Sequence, residues 1–230
     1  MTKLLQKPAI LEMRRRWLLR RVPPGVLRDY LSIPFPSSSQ AYEKIDYLAL
    51  DLETTGLDPI RDEILSVGFV PIRASMLRLA ERGYHLVRPK QSVPEASAVL
   101  TGLTDDHSAK GEALCPVLEE VIQTLTGKVL VAHFARLETG FLDAACQICY
   151  GFSLPIPVVD TLALEHRSMQ RRNQFPKAGE LRLAALRTHY GLPRYKAHNA
   201  LSDALSCGEL FLAQTAHRAG RGKLLLGELV

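Results

Sequence analysis

The strongest constraint on the fold is an apolar stretch that ends in two acids, YLALDLETTGLDP, from Tyr47 to Pro59. Its first half is typical of a strand buried in a sheet. Positions i and i+2 of a strand share a face, so Asp51 and Glu53 are expected to project together while Leu52 faces the other side. Two adjacent carboxylates repel each other unless a cation binds between them or one takes up a proton. The stretch therefore predicts a divalent metal site at a strand end; the alternative is a surface strand whose acids simply face water.

Strands and helices follow in a regular order. Short turns connect the first strands and favour an antiparallel meander, predicted at residues 45–53, 62–72 and 77–89. Two later apolar strands are predicted at 128–134 and 156–161. Helices are predicted around these strands and after them, at 117–125, 137–150, 161–169, 181–191 and 200–218. The pattern predicts an α/β fold with a mixed five-stranded sheet, first antiparallel and then parallel, flanked by helices.

Positive charge is concentrated near the N-terminus. The net charge is +5, and residues 1–42 carry eight Lys and Arg against two acids, so the rest of the chain is close to neutral. The sequence predicts a basic helix around Trp17, a Pro-Pro-Gly break, a second helical turn and a Pro/Ser linker ending near Gln40. We expect Trp17, Leu18 and Leu19 to pack on the domain while the arginines stay in water. Contact with a nucleic acid, an acidic protein partner and an organelle transit peptide are the alternatives.

The cysteines and the hydropathy limit the cellular setting. Cys115, Cys146, Cys149 and Cys207 lack the spacing of a disulfide framework, which favours a reducing compartment. Cys146 and Cys149 form a C-x-x-C whose surroundings are typical of a buried helix face, so no zinc or redox role is expected. The sequence contains no apolar run of membrane-spanning length and no uncharged core of a secretory signal near its start. We therefore expect a cytoplasmic protein with no membrane partner.

Two further segments place acids where a strand or loop meets a helix. HNALSDALS offers His198 and Asp203 near the start of the final helix, and VAHFARLETGFL offers Glu138 early in the helix after an apolar strand. Such junctions gather along one edge of an α/β sheet, so these acids are expected to join Asp51 and Glu53.

Two residues near Glu138 are given other roles. His133 directly follows an apolar strand, and we expect it to form hydrogen bonds within the fold. Asp143 lies five residues after Glu138, so it would face a different side of the helix and point to solvent.

Taken in order, these motifs resemble the DEDD superfamily of DnaQ-like 3′–5′ exonucleases, in its DEDDh branch, whose core is similar to ribonuclease H. The family motif D-x-E-T-T-G is intact from Asp51 to Gly56, and H-x-x-x-x-D is present as His198 and Asp203. The likeness covers about residues 47–214 and resembles the proofreading subunit of bacterial replicative polymerases. With the composition, it indicates three parts: a basic N-terminal extension and linker (1–42), an exonuclease domain (43–217) and a C-terminal tail (218–230).

The second motif of this family, H-N-x-x-F-D-x-x-F-L, reads HFARLETGFL here. Phe134 stands in place of Asn, Leu137 in place of Phe, and Glu138 in place of Asp. Glutamate is one methylene longer, so its carboxylate still reaches a metal if the helix sits back or the side chain bends. The resemblance therefore implies an active enzyme with altered metal affinity or rate.

The resemblance implies two-metal hydrolysis of phosphodiester bonds from the 3′ end of DNA, with two Mg²⁺ or Mn²⁺ ions as cofactors. Asp51, Glu53 and Asp203 would hold one ion, and Asp51 with Glu138 the other. His198 would act as general base on the attacking water. Contacts with the terminal nucleotide are expected from residues in the first two motifs: Thr54, Thr55, Gly56, Leu57 and Phe134.

Two other functions fit the same residues. An RNA-directed exoribonuclease or oligoribonuclease would keep the chemistry and change the substrate. A catalytically impaired nucleic-acid-binding module would result if Glu138 disables the site, with the basic extension recruiting a polymerase or another protein partner. The presence of all of Asp51, Glu53, His198 and Asp203 favours the enzyme.

Overall fold

The computed structural model describes residues 8–195, 198–220 and 222–230. Its strands are Tyr47–Thr54 (β1), Ile64–Arg73 (β2), Met76–Leu77 (β3), Gly83–Leu86 (β4), Val129–Ala132 (β5) and Val158–Asp160 (β6). The helices of the first half are Pro8–Leu19 (α1), Val26–Ser32 (α2), Glu95–Thr101 (α3), Asp105–Ser108 (α4) and Leu114–Leu125 (α5). Those of the second half are Arg136–Tyr150 (α6), Thr161–Arg171 (α7), Leu183–His189 (α8) and Ala200–Ala219 (α9).

The sheet is mixed, as the sequence predicts. The strand order is β3-β2-β1-β5-β6, and β4 also pairs with β2. β1 and β2 are antiparallel, whereas β1 with β5 and β5 with β6 are parallel. Helices flank both faces, so the ribonuclease H-like fold class is confirmed.

The prediction of one continuous third strand at 77–89 is wrong. A 3₁₀ turn at Leu79–Glu81 divides it into β3 and β4, which pair with opposite ends of β2. The turn is held by Arg73, whose guanidinium donates to both carboxylate oxygens of Glu81 at 2.9 and 2.6 Å. This bidentate ion pair holds the Leu79–Glu81 turn away from β2, so the segment between β3 and β4 does not pair with the sheet. The sheet therefore has six strands rather than five.

Alternate residues of β1 serve two hydrophobic cores, one on each face of the sheet. Leu48 and Leu50 join a core built with α1, α2, α5 and α6. Tyr47 and Ala49 face a second core formed mainly with α9 and the C-terminal residues. The period of two in the sequence thus becomes two buried faces, which explains why the β1 stretch is almost continuously apolar.

The basic extension packs into the first core rather than hanging from the domain. Leu18, Val22 and Leu31 are buried there, and the Tyr30 hydroxyl donates to the carbonyl of Pro155 at 2.8 Å. The expected packing of Trp17 is wrong, because this side chain is 53% exposed. Helical geometry explains the difference: neighbouring residues point about 100° apart, and the buried stripe of α1 passes through position 18.

The C-terminal residues also pack on the domain. Leu224, Leu226 and Leu229 are buried in the second core. The backbone N–H of Leu226 donates to the carbonyl of Gln40 at 3.0 Å, so the linker and the tail are joined. The division into parts at residues 42 and 217 stays a prediction.

The expectation that all cysteines are reduced is wrong for one pair. Cys115, in the first turn of α5, forms a disulfide with Cys149, near the end of α6, and their Cα atoms are 5.5 Å apart. The two are separated by 34 residues and meet only because α5 packs against α6, so their spacing gave no signal. Cys146 and Cys207 are free and buried among the described residues, and Cys146 does not act together with Cys149.

Within the part of the chain that the structure describes, we find no helix with the length and apolar character needed to cross a bilayer.

Candidate active site

The two acids of β1 lie together at the carboxyl end of the strand. Asp51 pairs across the sheet with Gly68 and Glu53 with Ser66, and the register then shifts between Glu53 and Thr54. Leu52 turns to the opposite face and packs against the first core. Asp51 and Glu53 are joined by Asp203, and ligand oxygens of the three carboxylates all lie within 4.8 Å of one another.

Asp203 reaches this cluster because α9 approaches the sheet unusually closely. The helix begins at Ala200, and the side chain of Asn199 caps it by accepting the Ser202 N–H at 3.1 Å. A Cβ at Gly68 would lie 2.2 Å from the helix backbone at Ala200, so no larger residue than glycine fits there. The small residue in β2 therefore allows the first turn of α9 to present Asp203 beside Asp51.

Glu138 supplies the fourth acid from the first turn of α6. It is only 3% exposed, and its Oε2 atom has no hydrogen-bond partner among the described residues. Its charge is one of the causes that raise the pKa of Asp51, so the two carboxyl groups are close enough to interact electrostatically. Its oxygens lie outside the 4.8 Å set formed by the other three acids. A buried carboxylate oxygen without a donor is the kind of ligand that a cation would satisfy.

All four acids hold their protons more tightly than ordinary carboxyl groups. Burial raises the pKa of Asp51, and the charges of Glu138, Asp203 and Glu53 raise it further. Burial and then Asp203 raise the pKa of Glu53 to about 7. Burial raises the pKa of Glu138 to about 8 against its own backbone hydrogen bond, and Asp160 adds to the increase. Burial also raises the pKa of Asp203, although the backbone N–H groups of His198 and Asn199 oppose this. The cluster is thus short of positive charge, and divalent cations fit its donor set.

Sequence reasoning missed Asp160, which organises the wall of the site. As N-cap of α7 it accepts the N–H of Leu162 and of Ala163. The same carboxylate accepts the N–H of Phe134 and of Ala135, both at 3.1 Å, in the loop that begins α6. One side chain therefore fixes the starts of both helices. An aspartate between a strand and a helix is a recognisable capping signal, but its second pair of donors is not visible in the sequence.

The loop that Asp160 holds includes His133 and Phe134. His133 makes contacts of 2.8 Å with the Thr161 hydroxyl and 2.9 Å with the Leu181 carbonyl, so it bonds within the fold as its position predicts. Burial lowers its pKa. Phe134 has a left-handed backbone with φ of 67° and is 46% exposed. The exposed ring is consistent with the predicted nucleotide contact, which stays a prediction.

His198 lies at the other side of the cluster on an exposed loop, with φ of 64°. Its backbone N–H donates to Asp203 Oδ2 at 2.8 Å, so the backbone of His198 contacts the acid cluster directly. The preceding part of the loop is anchored by Arg187, a buried residue that sequence reasoning also missed. Arg187 donates to the Pro193 carbonyl and to the Glu209 carboxylate, each at 2.7 Å, and stacks on Tyr195.

The T-T-G turn after β1 is rigid. The Thr54 hydroxyl donates to the Gly56 carbonyl at 2.6 Å, and the Thr55 hydroxyl accepts the Glu63 N–H at 2.8 Å. A Cβ at Gly56 would lie 2.3 Å from the Asp62 carboxylate, so a larger residue there would displace the Asp62 side chain. Leu57 follows and is 74% exposed. The roles of these residues in nucleotide binding stay predictions.

Asp143 stands apart from the acid cluster. Its carboxylate accepts the Leu154 N–H at 2.8 Å and the Gln147 side-chain amide at 2.9 Å. It secures the end of α6 and is half-buried rather than fully solvent-facing.

A family model described as RNase_T exonuclease matches residues 48–211, which include all of the clustered acids. The chain belongs to this exonuclease family. The chain is therefore a nuclease of this family.

Two bacterial DNA polymerase III proteins are similar in sequence to this chain. DNA polymerase III subunit epsilon of Treponema pallidum is 32% identical over 180 residues, which are 77% of this chain and 80% of that protein. The PolC-type DNA polymerase III of Thermotoga petrophila is 29% identical over 176 residues. That match covers 76% of this chain and only 12% of the PolC-type protein.

Solved structures share the fold. Exonuclease I of E. coli in complex with a 5cy-dT13 oligonucleotide matches with a TM-score of 0.65 at 15% identity, over 77% of this chain and 42% of that one. The nuclease domain of 3′hExo, a DEDDh family member bound to rAMP, matches with a TM-score of 0.64 at 17% identity. It covers 77% of this chain and 95% of the 3′hExo domain.

Proposed function

We propose that the chain is a metal-dependent exonuclease that removes nucleotides from the 3′ end of DNA. The observation that carries the proposal is the convergence of Asp51, Glu53 and Asp203, with ligand oxygens within 4.8 Å of one another, beside the buried Glu138. Four carboxylates in one pocket repel each other strongly without cations, so a fold that gathers them needs metal ions to stabilise the charged state.

Each acid has a defined task in this proposal. Asp51, Glu53 and Asp203 hold one Mg²⁺ or Mn²⁺ ion, and Asp51 together with Glu138 holds a second. Two such ions supply an activated water and charge stabilisation at the leaving oxygen when bound. The Oε2 atom of Glu138, which has no hydrogen-bond partner among the residues that the structure describes, supports its assignment as a ligand despite the longer side chain.

His198 accepts the proton of the attacking water. Its backbone is tied to Asp203, while its exposed position leaves the imidazole accessible to water in the site. An imidazole changes charge near neutral pH, which suits a general base. Thr54, Thr55 and Gly56 bring the rigid turn to the terminal nucleotide, and Leu57 and Phe134 offer exposed apolar surface to its base.

DNA is proposed as the substrate because named relatives are DNA polymerase III proteins and a solved relative holds a DNA oligonucleotide. The test uses a single-stranded DNA labelled at its 5′ end, incubated with the full chain and Mg²⁺, Mn²⁺ or a chelator. A ladder that shortens from the 3′ end, and only with a metal, is expected.

Variants link this activity to the acid cluster. Asp51→Asn and Asp203→Asn should each lower the rate by about 100-fold or more, because a ligand to the ions is lost. Asp143→Asn is the matched control: it removes an acid that lies outside the cluster, and it should keep the wild-type rate. Full activity in Asp51→Asn would contradict the proposed site.

Glu138→Asp restores the residue usual in the family. We expect this variant to keep or raise the rate, whereas Glu138→Gln should lower it. Loss of activity in Glu138→Asp would mean that α6 is placed for the longer side chain. The Asp variant changes the length of the side chain at constant charge, whereas the Gln variant removes the charge at constant length.

The same assay decides between the alternatives. Faster shortening of an RNA strand of equal sequence would favour an exoribonuclease. Tight binding of DNA without any ladder would favour a catalytically impaired binding module.

A further inference from the structure

Helix α1 has one face fixed on the domain. Leu11, Arg15 and Leu18 are buried at helical spacing, and Arg15 pairs with Glu12 through two bonds of 2.7 Å. Arg15 also donates to the carbonyl of Leu31 in α2. The helix is therefore held as a rigid part of the surface.

The opposite face of α1 exposes apolar side chains. Ala9, Met13 and Trp17 follow each other at intervals of four residues, and Met13 and Trp17 are 63% and 53% exposed. Together with Glu12, Arg16 and Arg20 they line a shallow surface groove that is open to solvent. Large apolar side chains on a rigid helix, bordered by charges, are typical of a protein contact site.

The groove carries a net positive charge. Arg16 and Arg20 line it against one acid, Glu12, which pairs with Arg16 at 2.9 Å, and Arg21 lies over the Trp17 ring. Arg16 and Arg20 on the groove are exposed. A complementary partner must therefore combine apolar side chains with acidic ones.

The position of the helix favours a protein over a nucleic acid. The acids lie at the carboxyl ends of the parallel strands, whereas α2 contacts the other end, where Ile33 packs against Gly127 before β5 and Tyr30 bonds to Pro155 before β6. Helix α1 packs on α2, so it lies near that end of the sheet rather than beside the acids. One face of the Trp17 ring is also covered by the Arg21 guanidinium, 3.7 Å from its centre, so a stacked base has only the other face.

We propose that the exposed face of α1 binds an acidic amphipathic helix of a partner protein. Apolar residues of that helix contact Met13 and Trp17, and its carboxylates pair with Arg16 and Arg20 at the rim. This surface is independent of the nuclease chemistry, so the proposal stands or falls separately from the proposed function.

Trp17 is the single tryptophan of the chain, so its fluorescence reports on this face directly. The full-length protein is titrated with a synthetic amphipathic peptide of Leu and Glu, with the same peptide carrying Gln in place of Glu, and with a dT oligonucleotide. We expect the acidic peptide to shift the emission to the blue and to saturate. The Gln peptide should bind about tenfold more weakly, because the rim charges lose their partners.

Matched variants locate the contact. Met13→Ser and Arg20→Glu should each weaken peptide binding about fivefold or more, since one removes buried apolar area and the other reverses a rim charge. Ile148→Ser, at an equally exposed position of α6 (63%), and Arg82→Glu on a distant loop should bind like the wild type. All four variants should retain exonuclease activity.

Three outcomes would overturn the proposal. They are an unchanged emission with the acidic peptide up to about 1 mM, equal effects of the α1 variants and their controls, and oligonucleotide binding that shifts the Trp17 emission and is weakened by the α1 variants but not by their controls. The last outcome would assign the face to nucleic acid instead.

Discussion

Replacing Gly68 by alanine tests how the last helix brings its acid to the sheet. A Cβ at this position would lie 2.2 Å from both the carbonyl carbon of Ala200 and the amide nitrogen of Leu201. Non-bonded atoms in contact are separated by about 3.5 Å, so α9 must move away by roughly 1 Å. The atoms that it meets are helix backbone, so rotation of a side chain cannot relieve the overlap.

The effect on catalysis should exceed the effect on stability. Overpacking of this kind costs about 1–3 kcal/mol of the free energy of unfolding. Asp203 lies in the first turn of α9 and would move away from Asp51 with the helix. A misplacement of about 1 Å at a catalytic group lowers the rate on the order of 100-fold. We expect Gly68→Ala to lose about that factor and to require more Mn²⁺ for half-maximal rate.

Two other glycines of the chain complete the test. Gly208→Ala should have an intermediate effect, because its Cβ would meet the Leu77 side chain at 2.8 Å and Ala49 Cβ at 3.1 Å. Gly220→Ala is the control, since its nearest contact is 3.8 Å away. Rates on 5′-labelled DNA are measured across a Mn²⁺ titration, with thermal unfolding alongside. If Gly68→Ala kept the rate and the Mn²⁺ dependence of Gly220→Ala, the reasoning would be refuted.

Three further predictions concern the surroundings of the site. Phe134→Asn should raise the free energy of unfolding by about 0.5–1 kcal/mol, measured with urea, because Asn adopts a left-handed backbone at lower cost. Arg187→Lys should lower the exonuclease rate and leave the charge unchanged, because a lysine cannot replace the fork that holds Pro193 and Glu209; a wild-type rate would contradict this. The ordinary carboxyl pKa is 4.5, whereas the folded protein raises the pKa of Glu53 to about 7 and that of Glu138 to about 8. In the presence of a chelator, the folded protein therefore binds more protons than the unfolded chain at pH values between these limits. Urea midpoints should therefore fall as pH rises through that window, and Mn²⁺ should suppress the fall.

Features set by neighbouring residues were predictable from the sequence. The alternation in β1 placed Asp51 and Glu53 on one face, and Asn199 marked the start of the helix that carries Asp203. Both depend on local periodicity or capping, which a short window of sequence contains. The order of strands and helices followed from the same signals, and it was enough to predict the sheet and the edge where the acids meet.

Features set by contacts between distant residues were not predictable. The disulfide between Cys115 and Cys149 requires two helices to pack side by side, and the C-x-x-C that contains Cys149 gives no sign of a bond to Cys115. The second pair of donors to Asp160 comes from a loop about 25 residues earlier in the chain. Trp17 shows a related limit: the sequence predicted a helix there, but the helical phase that buries Leu18 and exposes its neighbour depends on where the helix docks.

The substitutions in the second motif make physical sense once these contacts are known. Phe134 has a left-handed backbone in which Asn would be less strained, and Asp160 stabilises it by accepting the N–H groups of Phe134 and Ala135. The Asp160 carboxylate also fixes the start of α6, and so it sets the position from which the Glu138 side chain extends towards Asp51. Removing it by Asp160→Asn should therefore lower activity more in the wild type than in a Phe134→Asn background, in which the loop is less strained. Additive losses in the two backgrounds, measured as exonuclease rates, would show that the anchor and the strained loop act independently.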